Sequence, residues 1–429
     1  MKKLFSLVIV IFMTISLVAC TEPSDTSRID ELEATLAEKE TLITNLMLLL
    51  EDKEEAVESL QATIDLLQAE IEALRAELYD GIVVFTVLIH GTLVTESVYF
   101  KEEDGLTLFD LMYQTFDIDY QSSEFGNFIT RINDLETKHG NYIAFYKNGE
   151  FSLVGVSDVR YSDQDVFHFE LQWWDLTAQA VHEAIEGFLN NHVDAYLFDS
   201  LHFYVLPALY HLGIVSDFNQ TIPDTMVEET ANDYVKSIFI YQALGLDVTD
   251  LTLELYELKS VSHPYPTALQ LMALSANQAL DLEAFKTAFL ADLESQDLEA
   301  LDLDTLSLVL LALHFIEDTK PLQDTILDII ETNLYISLYG DNAASFAHVI
   351  MALVSVGIDP KGLSFEDEEG VSLIDNFLLY HTGTGSFYYQ LDNLEADMHF
   401  STPQAFLALV MYERYLNTFN TEQHPFLFE

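Results

Sequence analysis

Four histidines lie at or near the ends of apolar helical segments in the second half of the chain, where a ligand cleft would sit. They are His202, His263, His348 and His399. A neutral imidazole nitrogen can coordinate a transition metal such as cobalt. We therefore interpret these histidines, together with Gln404 near the start of the last helix, as candidate ligand contacts. Helix capping or solvation is the alternative for each histidine, because the sequence has no His-Glu-x-x-His or comparable spacing.

Aromatic and polar residues further upstream form a second candidate set. They are Tyr142, Tyr146, Asn148, Gly149, Trp173 and Trp174. A flat apolar ligand with polar edges would suit an aromatic strand that ends in an amide side chain and free backbone groups. The two adjacent tryptophans cannot point the same way, so one is expected to meet another domain or a ligand. Core packing remains the alternative for each aromatic residue.

The charge of the chain limits its partners. The sequence has 429 residues, with 72 acidic against 17 basic residues, and a net charge of −55. Such a chain repels phosphate backbones, which argues against nucleic acid as a partner. Extended contact with an anionic lipid surface is disfavoured for the same reason, so any membrane attachment is expected to be covalent or confined to a terminus.

The single cysteine predicts that attachment. Lys2 and Lys3 precede an apolar run, and residues 17–20 (LVAC) read as a lipobox ending at Cys20. We expect residues 1–19 to be a lipoprotein signal peptide, Cys20 to be lipidated, and residues 20–28 to link this anchor on the extracellular face of the cell membrane to the rest. An ordinary secretory signal and a short membrane anchor are the alternatives. A lone cysteine also excludes a disulfide framework and a Cys-rich zinc site.

Residues 29–79 carry a heptad pattern. The a positions are Ile29, Leu36, Ile43, Leu50, Val57, Ile64, Ile71 and Leu78, and the d positions are Leu32, Lys39, Leu46, Lys53, Leu60, Leu67 and Leu74. Only two of these core positions are polar, which predicts a coiled coil. At 1.5 Å per residue the helix would span about 75 Å. We expect a stalk that makes the protein a homo-oligomer; the alternative is a helix that folds back on the globular part.

The hydrophobic period changes to two after Asp80-Gly81, which predicts a small α+β domain over residues 80–172. Strands are predicted at 82–89, 94–100, 128–132, 142–147, 151–154 and 166–171, with a helix at 106–116. Asn148-Gly149 is a strong hairpin signal because both residues tolerate positive φ.

An Ala-Leu pair recurs in apolar helical segments of the remaining chain. The pairs begin at Ala208, Ala243, Ala273, Ala312, Ala352 and Ala408, at steps of 35, 30, 39, 40 and 56 residues. Periods of this size are typical of repeats of two helices, and one repeat cannot bury its apolar face alone. The pattern predicts an all-α domain over residues 176–429.

Three segments of the α+β region resemble the C-terminal β-domain of transcobalamin and intrinsic factor, a module also found in bacterial surface proteins. They are residues 106–111 (LTLFDL), 142–149 (YIAFYKNG) and 163–169 (DQDVFHF). The last turn departs from the family pattern, since it reads Gln164-Asp165 where Gly-Asp is usual. The resemblance implies a β-grasp-like fold.

The helical repeats are similar to the α6/α6 toroid of prenyltransferase and squalene-cyclase repeats, which also forms the α-domain of transcobalamins. In transcobalamins the two domains hold a corrinoid between them. In this chain the β-domain comes first, so a shared cleft is implied by analogy. The expected architecture is therefore a coiled-coil helix, a small α+β domain and an α6/α6 toroid.

The enzymatic uses of such a toroid find little support in the sequence. A prenyltransferase needs a zinc ion with a cysteine ligand, and no cysteine follows Cys20. The nearest approach to the Asp-rich motif of a class II terpene cyclase is Asp302-Leu303-Asp304, but Thr305 stands where a second Asp is expected. We interpret this segment as an acidic N-cap. A glycosidase with paired carboxylates stays open among 72 acids, although no pair stands out.

These observations predict a lipid-anchored surface protein, not an enzyme, that captures an extracellular small molecule. The specific expectation is cobalamin or another corrinoid bound between the β-domain and the toroid. Two alternatives remain: a structural or adhesive protein that binds a protein or a cell-wall polymer, and a carbohydrate-active enzyme on the toroid.

Overall fold

The computed structural model describes residues 26–89, 91–123, 126–197, 202–217, 228–336 and 342–428. The predicted signal peptide and Cys20 lie outside these ranges. The internal contacts of the chain define two compact units. One unit contains residues 26–83, 97–105 and 162–164, and the other contains residues 84–96, 106–161 and 165–428. No helix in the described ranges is long and apolar enough to cross a membrane.

The first unit is dominated by helix α1, Thr26–Leu78. It carries the heptad pattern, and its apolar residues Leu60, Leu67 and Leu74 are 64%, 50% and 51% exposed. The structure thus shows one long helix, and its pairing into a coiled coil stays a prediction. At its end the Arg75 guanidinium lies 4.7 Å from the centre of the Tyr99 ring, so the helix terminus is packed against an aromatic strand residue.

A mixed sheet follows α1, with strand order β2-β1-β8-β6-β7. Its strands are β1 (Gly81–Ile89), β2 (Thr92–Phe100), β6 (Asn141–Lys147), β7 (Glu150–Phe151) and β8 (Val166–Trp173). β8 lies parallel to β1 and antiparallel to β6, with Phe169 opposite Phe145. Alternate residues of β1, including Phe85, are buried, and the Phe145 and Phe169 rings stack at 5.1 Å.

A second sheet, β3-β4-β5, comprises Ile118–Ser123, Gly126–Ile132 and Leu135–Glu136. Two of its strands, β3 and β5, were not predicted. The short helix α2 (Leu108–Thr115) does match the predicted 106–116 segment, and it starts at a capping box. The backbone N–H of Asp110 donates to Thr107 Oγ1 at 3.1 Å, while Thr107 N–H donates to Asp110 Oδ2 at 2.7 Å. This reciprocal pair satisfies two N–H groups at the helix start.

The predicted strand at 151–154 is shorter than expected, because β7 ends at Phe151. The Ser152 hydroxyl hydrogen-bonds to the Val154 carbonyl oxygen at 2.9 Å, which turns the chain. A serine side chain that binds nearby backbone competes with continuation of a strand.

The described residues after β8 form helices and one hairpin, joined by turns and loops. The helices are α3 (Leu176–Asn191), α4 (Val193–Leu197), α5 (Val205–His211), α6 (Ala231–Ala243), α7 (Thr249–Leu258), α8 (Pro264–Leu274), α9 (Glu283–Ser295), α10 (Leu303–Leu313), α11 (Lys320–Asn333), α12 (Ala343–Ser355), α13 (Leu373–Leu378) and α14 (Ser401–Asn417), and the hairpin is β9 (Tyr388–Gln390) with β10 (Asn393–Ala396).

Six of these helices contact one another in a closed series. α5 packs on α6, α6 on α8, α8 on α10, α10 on α12, α12 on α14, and α14 on α5. Each of the six contains one of the repeated Ala-Leu pairs or ends at it. All twelve residues of these pairs are buried except Leu244, which is half-buried. Other helices contact members of this series; α3, for example, packs on α14, and α9 packs on α8.

Residues 419–428 pack against the C-terminal ends of several helices in the series. The His424 Nε2 atom lies 3.2 Å from the Leu311 carbonyl oxygen of α10, and His211 Nε2 of α5 lies 2.9 Å from the Pro425 carbonyl oxygen. Burial lowers the pKa of His424 to about 3, so its ring is neutral at physiological pH. The Phe426 ring stacks on Phe239 of α6 at 4.3 Å. These contacts show that the ends of α5 and α10 lie near each other.

Candidate functional site

Polar side chains at or near the starts of five of the six contacting helices lie together. We call this group the helix-start cluster: Tyr204 before α5, Tyr265 in α8, Asp304 in α10, His348 in α12 and Gln404 in α14. The starts of α5 and α10 meet here and their ends meet at residues 419–428, so these helices run parallel.

His348 lies at the centre of the helix-start cluster. Its Nε2 atom is 2.8 Å from Tyr204 Oη, and its Nδ1 atom is 3.4 Å from Asp304 Oδ1. Only 1% of His348 and 2% of Tyr204 is exposed, whereas the Asp304 side chain is 34% exposed. The cluster therefore runs from the protein interior to a carboxylate that solvent or a ligand can reach.

Asp304 is ionised in this setting. Burial acts to raise its pKa, but the neighbouring His348 imidazole and a hydrogen bond from Ser345 leave the pKa below its usual value. The pKa values of the two phenols, Tyr204 and Tyr265, are raised instead. Burial raises the pKa of Tyr265 to about 12, and the charges of Asp304 and Asp302 add to this effect. The cluster at neutral pH thus holds one carboxylate beside neutral phenols.

Several buried polar atoms of this region have no hydrogen-bond partner among the described residues. They are Asp304 Oδ1, Ser307 Oγ, His348 Nδ1 and Gln404 Oε1. The 3.4 Å pair of Asp304 and His348 is within ion-pair distance but lacks hydrogen-bond geometry. Buried polar groups are almost always paired, and each unpaired group costs about 1–3 kcal/mol. Three of these four atoms belong to members of the helix-start cluster, which makes the cluster the candidate site.

The other predicted histidines lie around this cluster in different roles. Half-buried His202 accepts a hydrogen bond from the Tyr204 N–H at Nδ1 (3.3 Å), and burial, with the charges of Lys236 and His399, lowers its pKa to about 4. His263 is exposed and caps α8, since its Nδ1 accepts from the Tyr265 N–H at 3.3 Å. His399 is exposed and donates its backbone N–H to Asp397.

The predicted residues of the β-domain form a separate polar row across one face of the sheet. Tyr142 Oη donates to Gln172 Oε1 at 3.0 Å, and Tyr146 Oη donates to Glu170 Oε1 at 2.8 Å. The row extends to β1, where Thr86 Oγ1 lies 2.9 Å from His168 Nδ1. These side chains already satisfy one another within the sheet.

Asn148 and Gly149 form the predicted turn, with φ values of 53° and 82°. Both ends of the Asn148 amide are used inside the domain. Its Nδ2 donates to Asp165 Oδ1 at 2.8 Å, and its Oδ1 accepts from the Val166 N–H at 2.8 Å. Asn148 therefore holds the hairpin against β8, and this is the role the structure shows for it.

The two tryptophans point to different surroundings. The Trp173 ring lies 5.4 Å from the His182 ring of α3, so Trp173 is the one that meets the helical region. Trp174 is 64% exposed and its ring lies 5.6 Å from that of His139.

A buried ion cluster beside Trp173 was not predicted from the sequence. Glu413 of α14 is 8% exposed and contacts Lys138 Nζ at 3.0 Å and His182 Nδ1 at 2.9 Å. Burial acts to raise the Glu413 pKa, but His182 and Lys138 hold it below its usual value. The one signal for this cluster is an acid that follows the apolar run 405–412 within a helix. The cluster joins the β-domain to α14.

The two candidate groups contact different ends of α14. Gln404 lies in its first turn and Glu413 nine residues later, which corresponds to about 14 Å along the helix. His202, His348 and Gln404 are thus brought together, while the predicted residues of the β-domain are not among them.

Two open clefts lie elsewhere, at the C-terminal ends of α6 and α8. Their volumes are about 510 and 390 Å³, and they share Asn277 and Gln278. No predicted site residue lines either cleft. Within the described ranges there is also no group of three or more His, Cys, Asp or Glu side chains that could hold a metal ion.

Comparison with known proteins locates one similarity in the α+β region. Residues 105–172 match the family DUF4430, a domain of unknown function. A crystal structure from Ruminococcus gnavus, described as that of a candidate metal-binding protein, is 22% identical; the match covers 22% of this chain and 99% of that chain, with a TM-score of 0.20. No curated protein matches. The matched residues begin after the end of β2 and stop one residue before the end of β8. They therefore include α2 and strands β3 to β7 and nearly all of β8.

Proposed function

We propose that this protein is a lipid-anchored, extracellular small-molecule-binding protein whose ligand binds at the helix-start cluster. The observation that carries the proposal is the set of buried, unpartnered atoms on Asp304, His348 and Gln404. Three helices that are distant in sequence deliver these atoms to one place, and a ligand would relieve the cost of leaving them unpaired.

A corrinoid is the first ligand class to test. We interpret the closed series of six helices as an α6/α6 toroid, and the α+β region as a transcobalamin-like β-domain. Together they resemble both halves of a corrinoid carrier. Burial lowers the pKa of His202 to about 4, so its imidazole is neutral at physiological pH. The β-domain contacts α14 away from the helix-start cluster, so we place the ligand on the helical region and not between the two domains.

Binding accounts for the cluster better than acid catalysis does. A carboxylic acid that donates its proton at neutral pH needs a raised pKa, as burial without a nearby cation provides. The Asp304 pKa is instead held below its usual value. We therefore propose no enzymatic role for this acid.

The stalk and anchor complete the proposal. Helix α1 exposes leucines at heptad positions, and pairing with further copies of the chain would bury them. We propose that α1 makes the protein a homo-oligomer held to the membrane by lipidated Cys20. Sedimentation of the mature protein should give a higher stoichiometry than sedimentation of a variant that lacks residues 21–79. Equal stoichiometry would exclude this role for α1.

Titration of the mature protein without its lipid tests the main proposal. Cobalamin and cobinamide are added separately, and binding is followed by absorbance and calorimetry. Saturable binding of either compound is the expected result. No binding of either at tens of micromolar would exclude corrinoids as the ligand class.

A further inference from the structure

The chemistry of the helix-start cluster restricts the group that a ligand can place there. Gln404 is 8% exposed. Burial raises the pKa of Tyr204, and a hydrogen bond from the Gln404 side chain to the Tyr204 oxygen acts against this rise. An amide that donates to a phenol oxygen does so through Nε2. Its carbonyl oxygen Oε1, buried and without a partner among the described residues, is therefore left as an acceptor.

Asp304 is the second acceptor. It is ionised, its Oδ1 atom is buried, and about a third of its side chain remains accessible. His348 is its only ion-pair partner among the described residues. Within the same range, no lysine or arginine forms an ion pair with it. Asp302 precedes it by two residues and adds to the negative charge, as does the net charge of the whole chain.

His348 does not change this balance. Its Nε2 atom is committed to Tyr204, and its Nδ1 atom faces Asp304. Either the Tyr204 hydroxyl donates to Nε2 and Nδ1 carries the ring proton, or Nε2–H donates to Tyr204 Oη and Nδ1 is an acceptor. In both arrangements Gln404 Oε1 and the accessible part of the Asp304 carboxylate remain acceptors.

We infer that the part of the ligand inserted into the helix-start cluster is a nitrogen head group that carries N–H donors, either an ammonium or a primary carboxamide. This inference rests on the proposed function, because it assumes that the cluster is the ligand site. A carboxylate or phosphate head would place an anion beside ionised Asp304 and opposite an acceptor atom, so it would be rejected by both charge and hydrogen bonding.

Three small probes that share a phenyl ring test this inference: benzamide, benzoate and benzylamine. Benzamide and benzoate have nearly the same shape and differ in whether the head offers N–H donors or a negative charge. We expect benzamide and benzylamine to bind the mature protein with dissociation constants in the millimolar range, at least about tenfold tighter than benzoate. Calorimetry or ligand-observed NMR measures this preference.

Two variants assign the preference to the cluster. Asp304→Asn should reduce the advantage of benzamide over benzoate by about tenfold. Gln404→Leu removes an acceptor without a change of charge, so it should weaken benzamide binding and should not weaken benzoate binding. If one variant fails to fold, as judged by its thermal unfolding, the other still gives the answer. Tyr256→Phe, which removes only a 3.1 Å hydrogen bond near the surface, is the control.

Benzoate bound as tightly as benzamide, full preference retained in both variants, or no binding of any probe up to about 20 mM would overturn the inference. These results are distinguishable from failure of the corrinoid proposal. If the protein prefers benzamide over benzoate but binds no corrinoid, only the corrinoid proposal is excluded. Corrinoid binding that benzoate and benzamide displace equally well removes only the requirement for a nitrogen head group.

Discussion

Tyr204 and His348 are 144 residues apart in the chain, yet Tyr204 Oη and His348 Nε2 lie 2.8 Å apart in an almost fully buried position. This hydrogen bond connects the start of α5 to α12, two helices of the contacting series that are not neighbours in that series. The bond therefore fixes the position of the imidazole relative to Asp304 and Gln404, which come from the two helices that flank α12.

Removal of the Tyr204 hydroxyl should destabilise the fold measurably. In Tyr204→Phe the buried Nε2 atom of His348 loses its partner, and we expect the free energy of unfolding to fall by about 1–3 kcal/mol. Chemical denaturation of the mature protein measures this change. Tyr256→Phe should cost less than about 1 kcal/mol, because the Tyr256 hydroxyl is near solvent. Equal losses in the two variants would contradict the role given to the buried pair.

The Glu413 cluster predicts a specific dependence of stability on pH. The pKa of Glu413 in the folded protein lies below the reference value of 4.5. The charged Glu413 carboxylate therefore stabilises the fold above about pH 4.5, and this contribution is lost as the pH falls below that value. Glu413→Gln should therefore be less stable than the wild type at neutral pH, with a difference that shrinks on acidification. Urea denaturation at pH 7, 5 and 4 measures this difference.

The exposed residue Glu299 provides the control for this measurement. Glu299→Gln should track the wild type at each pH. A difference between Glu413→Gln and the wild type that stays constant from pH 7 to pH 4 would show that the Glu413 charge does not act through Lys138 and His182.

Two glycines of one turn allow the cost of backbone strain to be distinguished from the cost of a steric clash. Gly383 and Gly385 both have positive φ, 88° and 91°. A Cβ atom on Gly383 would meet nothing within 4 Å, whereas a Cβ atom on Gly385 would lie 1.9 Å from the Phe188 backbone nitrogen of α3. Gly385 therefore permits a close backbone approach between this turn and α3.

We expect Gly383→Ala to cost about 1–2 kcal/mol through its conformation alone. Gly385→Ala carries a similar strain and must also push α3 away, so it should cost at least about 1–3 kcal/mol more. Thermal unfolding of the two variants, compared side by side, gives the difference. Equal melting temperatures would mean that the turn and α3 do not pack as the structure has them.

The main elements of the fold could be read from local sequence patterns. The hairpin at Asn148-Gly149 and the Thr107 turn before α2 depend on the conformational preferences of a few adjacent residues. The six Ala-Leu pairs predicted six helices because apolar periodicity survives in each repeat. Strand β3 gave no such signal: its sequence IDYQSS is largely polar, and it is held instead by Arg131 of β4, which contacts Asp117 at 2.9 Å and Asp119 at 2.7 Å.

The site was harder to predict because its contacts are long-range. Asp302 does cap α10, accepting from the Thr305 N–H at 2.7 Å, as the acidic N-cap interpretation predicts. That interpretation missed Asp304, whose partner His348 lies in another helix. The partner of Glu413 is equally remote, since Lys138 belongs to the β-domain. Residue spacing carries no information on which helix starts face each other, so His348 and Gln404 could be proposed as contacts but not joined to Tyr204.

The most direct test of the account is to locate the ligand. Cobinamide is titrated calorimetrically into the wild-type mature protein, into Gln404→Leu at the helix-start cluster and into Tyr146→Phe on the sheet face. We predict that Gln404→Leu weakens binding at least about tenfold, since a buried acceptor is lost, while Tyr146→Phe binds like the wild type. Unchanged affinity in Gln404→Leu together with a loss in Tyr146→Phe would contradict the account and place the ligand on the β-domain.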